Sequence, residues 1–128
     1  MSRFVAAILA VSLFSSIASA TGEFQKEWKT MYLDKDADAV FVKAAKKAGC
    51  NVCHIKGEKK TERNEYGMAV HEFLNKANYT KEKLKENPEL VKEIVEGIKK
   101  AGEKTSSDEK TFAAKIEAGE LPATDSGL

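Results

Sequence analysis

Residues 50–54 read Cys-Asn-Val-Cys-His, and the interpretation of the remaining chain starts from this pentapeptide. Its C-x-x-C-H spacing is the pattern of covalent haem attachment. Two thiols separated by two residues can both reach the vinyl groups on one edge of a porphyrin, while the adjacent imidazole reaches the iron. The motif therefore predicts one covalent haem c, bonded through Cys50 and Cys53, with His54 as the proximal iron ligand.

Other chemistries of a C-x-x-C pair remain open at this stage. A disulfide between Cys50 and Cys53 would close a very short loop and add little stability through chain entropy. A thioredoxin-like redox motif would require a βαβ pattern, which the flanking sequence does not show. A zinc ion would need four ligands, and the two cysteines with His54 and His71 could in principle form a tetrahedral set.

The sixth coordination position of the predicted haem iron has several candidate donors. Methionine and histidine are common axial ligands, and water or an empty position is the alternative. Met31 lies on the apolar stripe of its helix and is expected to point inward, as a ligand or as plain core packing. Met68 and His71 lie off the apolar face of a later helix and are expected to be exposed if that helix is regular. The sequence does not choose among them.

The residues around the motif show helical periodicity, and no stretch alternates like a strand. We therefore predict an all-α fold, a small cytochrome c-like bundle of four or five short helices around one covalent haem. The first two predicted helices are residues 24–32 and residues 38–48, the second ended by Gly49. A third begins at a cap, Thr61 or Asn64, and runs to Ala77, and further helix starts are predicted at Thr80 and at Asn87-Pro88. An apolar stripe from Val91 to Ala101, ended by Gly102, and a last helix from Thr111 to Ala118 complete the prediction.

The first 20 residues have the features of a secretory signal peptide. A basic start at Arg3 is followed by an apolar run and by a small-residue site ending at Ala20, so cleavage is predicted between Ala20 and Thr21. The apolar run is too short for a spanning helix, which needs about 20 residues. The predicted domains are therefore the signal peptide (1–20), a monohaem domain (21–122) and a flexible tail (123–128).

The net charge of the mature chain indicates which classes of binding partner to expect. Removing Arg3 from the 21 basic residues leaves 20, against 20 acidic residues in the mature chain. Nucleic-acid-binding proteins usually carry a basic excess, so this balance argues against that class. We expect a periplasmic or otherwise exported protein without a membrane span after cleavage.

The chain also resembles a known family, the small monohaem cytochromes c of planctomycete type. The resemblance rests on residues 24–33, on the motif at 50–54, on Arg-Asn-Glu-Tyr-Gly at 63–67 and on residues 111–122. This group is similar to the heterodimeric NaxLS cytochromes of anammox bacteria, in which a cysteine is the distal ligand and nitric oxide binds. Here the haem motif uses both cysteines, so the resemblance implies roles for Cys50, Cys53 and His54 but no distal cysteine.

The expected function is one-electron transfer by an iron that cycles between Fe3+ and Fe2+, with redox proteins as partners and without catalysis on a substrate. The alternative is a haem protein that binds or senses a small gas such as NO or CO through a weak or absent distal ligand, in which case a dimer is also conceivable. A haem enzyme such as a peroxidase is a third class, for which the sequence by itself places no Arg or His near the cofactor.

Overall fold

The structure, a computed structural model, describes residues 21–128, and the predicted signal peptide lies outside the described residues. Within this range the chain is helical and contains no strand, which confirms the all-α prediction. Residues 21–128 form six α-helices rather than four or five, and the start predicted at Thr80 opens a short helix that is separate from the next one. No helix between residues 21 and 128 is long and apolar enough to cross a membrane. The helices are α1 (Thr21–Tyr32), α2 (Ala39–Ala48), α3 (Glu65–Phe73), α4 (Lys81–Glu86), α5 (Leu90–Gly102) and α6 (Phe112–Glu117).

Side-chain caps define four of the helix starts. Asp38, Asn64, Thr80 and Thr111 each accept a hydrogen bond from the backbone N–H three residues later. Such caps satisfy N–H groups that have no partner within the helix. Of the two caps considered for the third helix, Asn64 is the one used.

The end of α3 differs from the prediction, which extended this helix to Ala77. Leu74 adopts an extended conformation and is buried, and the side chain of Asn75 accepts a hydrogen bond from the N–H of Ala77 in a separate 3₁₀ turn, Lys76–Asn78. An asparagine side chain that bonds to nearby backbone offers the chain an alternative to continuing the helix. The helix therefore stops where Leu74 turns into the core.

The start of α5 is also displaced, from the predicted Pro88 to Leu90. Asn87 accepts a hydrogen bond from the N–H of Glu89 in a local turn, so Pro88 belongs to this turn and not to the helix. The apolar stripe of α5 is as expected, with Ile94, Ile98 and other members of the core buried.

Helix α5 is the central element of the core, and α1, α3 and α6 pack against it. Leu74 contacts Gly97 so closely that a Cβ at Gly97 would overlap the leucine side chain. Burying a large apolar side chain contributes about 1.5–3 kcal/mol. The side chains with almost no exposed surface include Tyr66, Leu74, Ile94, Ile98 and Phe112.

Residues 123–128, predicted as a flexible tail, are hydrogen-bonded to the body of the protein. The Thr124 N–H and hydroxyl both donate to the Glu65 carboxylate, and the Asp125 carboxylate accepts from the Glu65 N–H. The Ser126 carbonyl accepts from the N–H of Lys56. The sequence offered no periodic pattern here, since these contacts are made by single polar groups rather than by an apolar face.

Candidate haem site

Both cysteines lie on one tight turn that follows the end of α2. Gly49 has a φ of 53°, a left-handed conformation that favours glycine, and its N–H still bonds to the carbonyl of Ala45. Residues Gly49–Val52 then form a 3₁₀ turn, and the carbonyl of Cys50 accepts from the N–H groups of Cys53 and His54 at 3.3 and 3.0 Å. The three residues of the predicted haem site therefore share one turn of backbone.

Asn64 holds this attachment loop, residues 50–54, against the start of α3. Its side-chain nitrogen lies 3.1 Å from the carbonyl oxygen of Asn51, 3.0 Å from that of Val52 and 3.4 Å from that of His54. Its side-chain oxygen accepts from Gly67 N at 2.9 Å. The side chain is fully buried, so these bonds are shielded from water.

The imidazole of His54 is oriented by the backbone. Its Nδ1 lies 3.3 Å from the carbonyl oxygen of Glu62, an arrangement that leaves Nε2 as the nitrogen available to a metal. Burial lowers the pKa of His54, the bond to Glu62 partly offsets this, and the positive charges of Lys60, Arg63 and Lys76 lower the pKa further. The neutral form of the ring, which is the form that ligates iron, is thereby favoured.

A cavity of about 440 Å³ opens beside the attachment loop. Cofactor sites usually enclose about 300–1,000 Å³ and are mainly apolar. Cys50, Cys53 and His54 all line this cavity, and the apolar residues that line it with them include Trp28, Val70, Leu74 and Ile98. The donor set and the apolar walls fit a porphyrin fixed by two thioethers and one imidazole.

Four basic side chains also line the cavity: Lys29, Lys60, Arg63 and Lys76. We call this group the basic rim. Haem carries two propionate carboxylates, and cations beside them would offset their charge. The sequence did not predict the basic rim, because its members are spread over 48 positions of a chain with balanced charge.

The three candidate distal ligands are placed differently. Met31 is partly buried and packs against the core, and it does not line the cavity. Met68 is 64% exposed and does not line the cavity either. His71 is exposed, as expected from its position on the helix, but it does line the cavity that contains His54.

The alternative chemistries of the C-x-x-C pair find little support in this geometry. Between residues 21 and 128, no three or more His, Cys, Asp or Glu side chains are grouped so that they could hold a metal ion, so the tetrahedral zinc set is not formed. Burial and the neighbouring Cys50 raise the pKa of the Cys53 thiol to about 12, although Arg63 opposes them. Residues 21–128 contain no strand, so the βαβ surroundings of a thioredoxin-like redox motif are absent from the described part of the chain.

Comparisons with protein-family models, curated proteins and solved structures gave no match to this chain. The resemblance to planctomycete cytochromes therefore stays a prediction. The functional interpretation depends on the geometry of the attachment loop and the cavity.

Proposed function

We propose that this protein is an exported monohaem c-type cytochrome that carries single electrons. Cys50 and Cys53 would hold the porphyrin through thioether bonds, and His54 would ligate the iron. The bound haem supplies the redox chemistry, in which Fe3+ gains one electron to become Fe2+ and returns it to a partner. The observation that carries the proposal is the cavity of about 440 Å³ that has all three residues of the motif in its walls.

The exposure of the site supports electron transfer more than catalysis on an enclosed substrate. Cys50 is exposed and Cys53 is half-buried, so the porphyrin edge bonded to them would lie close to the surface. An exposed edge permits exchange in a small, weak encounter with a partner protein. The covalent bonds explain how a domain of this size could retain a large cofactor without surrounding it.

Haem attachment is tested by producing the full chain in cells with and without the cytochrome c maturation machinery. We expect a red protein with the mass of the polypeptide plus one haem, only when that machinery is present. Cys50→Ala and Cys53→Ala should each leave a single thioether bond, which shifts the pyridine haemochrome spectrum. A colourless product with the mass of the bare polypeptide would exclude the proposal.

The redox role is tested by potentiometric titration of the haem-loaded protein. We expect one reversible transition with the slope of a one-electron couple and no change in the ferrous spectrum under carbon monoxide. A five-coordinate ferrous spectrum that shifts with carbon monoxide would favour the gas-binding alternative instead. Export is tested separately, by sequencing the amino terminus of the periplasmic product, which should begin at Thr21.

A further inference from the structure

We propose that His71 is the second axial ligand of the haem iron, so that the cofactor has two histidine ligands. The inference rests on the proposed function, since it concerns the same haem. It goes further by assigning the coordination position that the motif leaves open. It thereby decides between electron transfer and gas binding.

The side chains lining the cavity leave few alternatives. Neither Met31 nor Met68 belongs to them. The two cysteine sulfurs would be used by the proposed thioether bonds. The lysines and Arg63 of the basic rim have no free electron pair for iron in their charged forms, so each lysine would first have to lose a proton. Gln25 contributes an amide oxygen, a donor that suits hard ions better than haem iron. His71 provides the remaining imidazole in the cavity wall.

The register of α3 fixes where His71 lies relative to the attachment loop. Gly67 and His71 are four residues apart, so they lie on the same face of the helix, about 6 Å apart along its axis. Gly67 lies directly on the carbonyl of Cys53, and the Asn64 cap fixes the start of the helix. The face of α3 that contacts the motif therefore continues to His71. His54 and His71 thus line the same cavity from two segments that are packed against each other.

The ring of His71 is free to take this role. It forms no hydrogen bond or ion pair with residues 21–128, whereas the Nδ1 of His54 is bonded to the Glu62 carbonyl. His71 is also exposed, so its replacement removes no part of the core. A change at this position therefore reports on ligation rather than on folding.

The test compares spectra of the haem-loaded protein and of four variants. We expect the unmutated protein to be low-spin in both oxidation states, insensitive to carbon monoxide, and to show the near-infrared magnetic circular dichroism of two histidine ligands. His71→Ala should become high-spin and bind carbon monoxide, and added imidazole should restore the low-spin spectrum. His71→Met should remain low-spin with a higher reduction potential. The matched controls Met31→Leu and Met68→Leu should leave the spectra unchanged.

The outcomes separate this inference from the proposed function. Absence of attached haem would refute the cytochrome itself. Attached haem that is high-spin in the unmutated protein would overturn the assignment of His71 and would favour gas binding over electron transfer, although haem attachment itself would stand. A His71→Ala protein that stays low-spin would also overturn it, as would a high-spin variant that imidazole does not rescue.

Discussion

The backbone of Gly67 lies directly against the carbonyl group of Cys53, so closely that a Cβ at Gly67 would overlap the carbonyl oxygen and carbon. Gly67 also donates its N–H to the side chain of Asn64, and the backbone N–H of Asn64 donates to the same Cys53 carbonyl at 3.0 Å. Helix α3 and the attachment loop therefore form one packed unit. The position of Cys53 therefore depends on a residue without a side chain at position 67, fourteen residues later.

Gly67→Ala should destabilise the protein, although alanine is the better helix former. The added methyl group meets backbone, which cannot rotate away, and overpacking of this kind costs about 1–3 kcal/mol. We expect a lower urea midpoint and a lower yield of attached haem. Gly22→Ala in α1 is the matched control, because nothing lies within 4 Å of its Cβ position. Equal midpoints for the two variants would contradict the close packing.

Asn64→Asp should destabilise the protein even though aspartate is an equally good cap. The variant keeps an oxygen that accepts from the Gly67 N–H. Its second oxygen, however, replaces the side-chain nitrogen that donates to the backbone carbonyls of the attachment loop, and two oxygens cannot form these hydrogen bonds. Loss of these buried bonds should cost about 3 kcal/mol or more, measured by urea unfolding. The control is Asp38→Asn, where the side chain only accepts from Phe41 N and little change is expected. An unchanged urea midpoint for Asn64→Asp would mean that Asn64 acts only as a helix cap and that its bonds to the attachment loop add no stability.

Glu65 should make stability depend on pH in the acid range. Burial alone would raise its pKa, but hydrogen bonds from Ser106, Thr124 and Ser107 lower it from 4.5 to about 2. Because the folded-state pKa lies below the unfolded value, the stabilisation is complete above about pH 5 and is lost as the pH falls towards 2. Unfolding of Glu65→Gln between pH 2 and 7 should show a flatter profile than the unmutated protein. Glu58→Gln, at an exposed position, should keep the original profile.

Tyr66→Phe should cost about 1–3 kcal/mol, because it removes the buried acceptor of the Trp28 indole N–H. The two side chains are joined by a 2.9 Å hydrogen bond, and both are almost fully buried. Urea unfolding measures the loss. Tyr79→Phe is the control, since the Tyr79 hydroxyl bonds to an exposed carboxylate, Glu93, and that carboxylate would remain hydrated. Similar losses in both variants would show that burial of the indole bond is unimportant.

Arg63→Gln should lower the reduction potential of the attached haem. A positive charge disfavours Fe3+ relative to Fe2+, and a charge about 10 Å away changes the potential by on the order of 20–60 mV. The basic-rim position of Arg63 supports this effect, and Lys81→Gln on α4, outside the cavity wall, is the control. Redox titration at low salt measures both. A potential unchanged by Arg63→Gln would place this side chain away from the iron.

The sequence predicted the parts of the fold that follow from periodic burial. The stripe of α5 and a cap at Thr61 or Asn64 could be predicted from residue types, because helix packing and capping impose a regular spacing. Asp38 and Thr111 were predicted only as the residues at which their helices begin. The early end of α3 could not be read in this way. It depends on Leu74 entering a space left by Gly97, a contact between residues 23 positions apart.

Of the candidate site, only the motif at 50–54 could be predicted from the sequence. The motif is contiguous, so its spacing alone predicts haem attachment. The cavity wall is assembled from four helices (α1, α2, α3 and α5) and the segments between them, and no local pattern shows that His71 belongs to it while Met31 does not. The role of Asn64 was likewise read as a helix cap alone, because its bonds to the attachment loop require the tertiary fold.

Two consecutive residues, Asn64 and Glu65, join the attachment loop to the carboxyl-terminal segment: one holds the loop, and the other bonds to Thr124 and Asp125. A pulling force applied near residue 126 would thus reach the attachment loop through these hydrogen bonds and through the bond from the Lys56 N–H to the Ser126 carbonyl. Immobilising the protein on an electrode through that end should distort the spectrum of the cofactor. A linkage through a lysine of α4 should leave the spectrum as it is in solution.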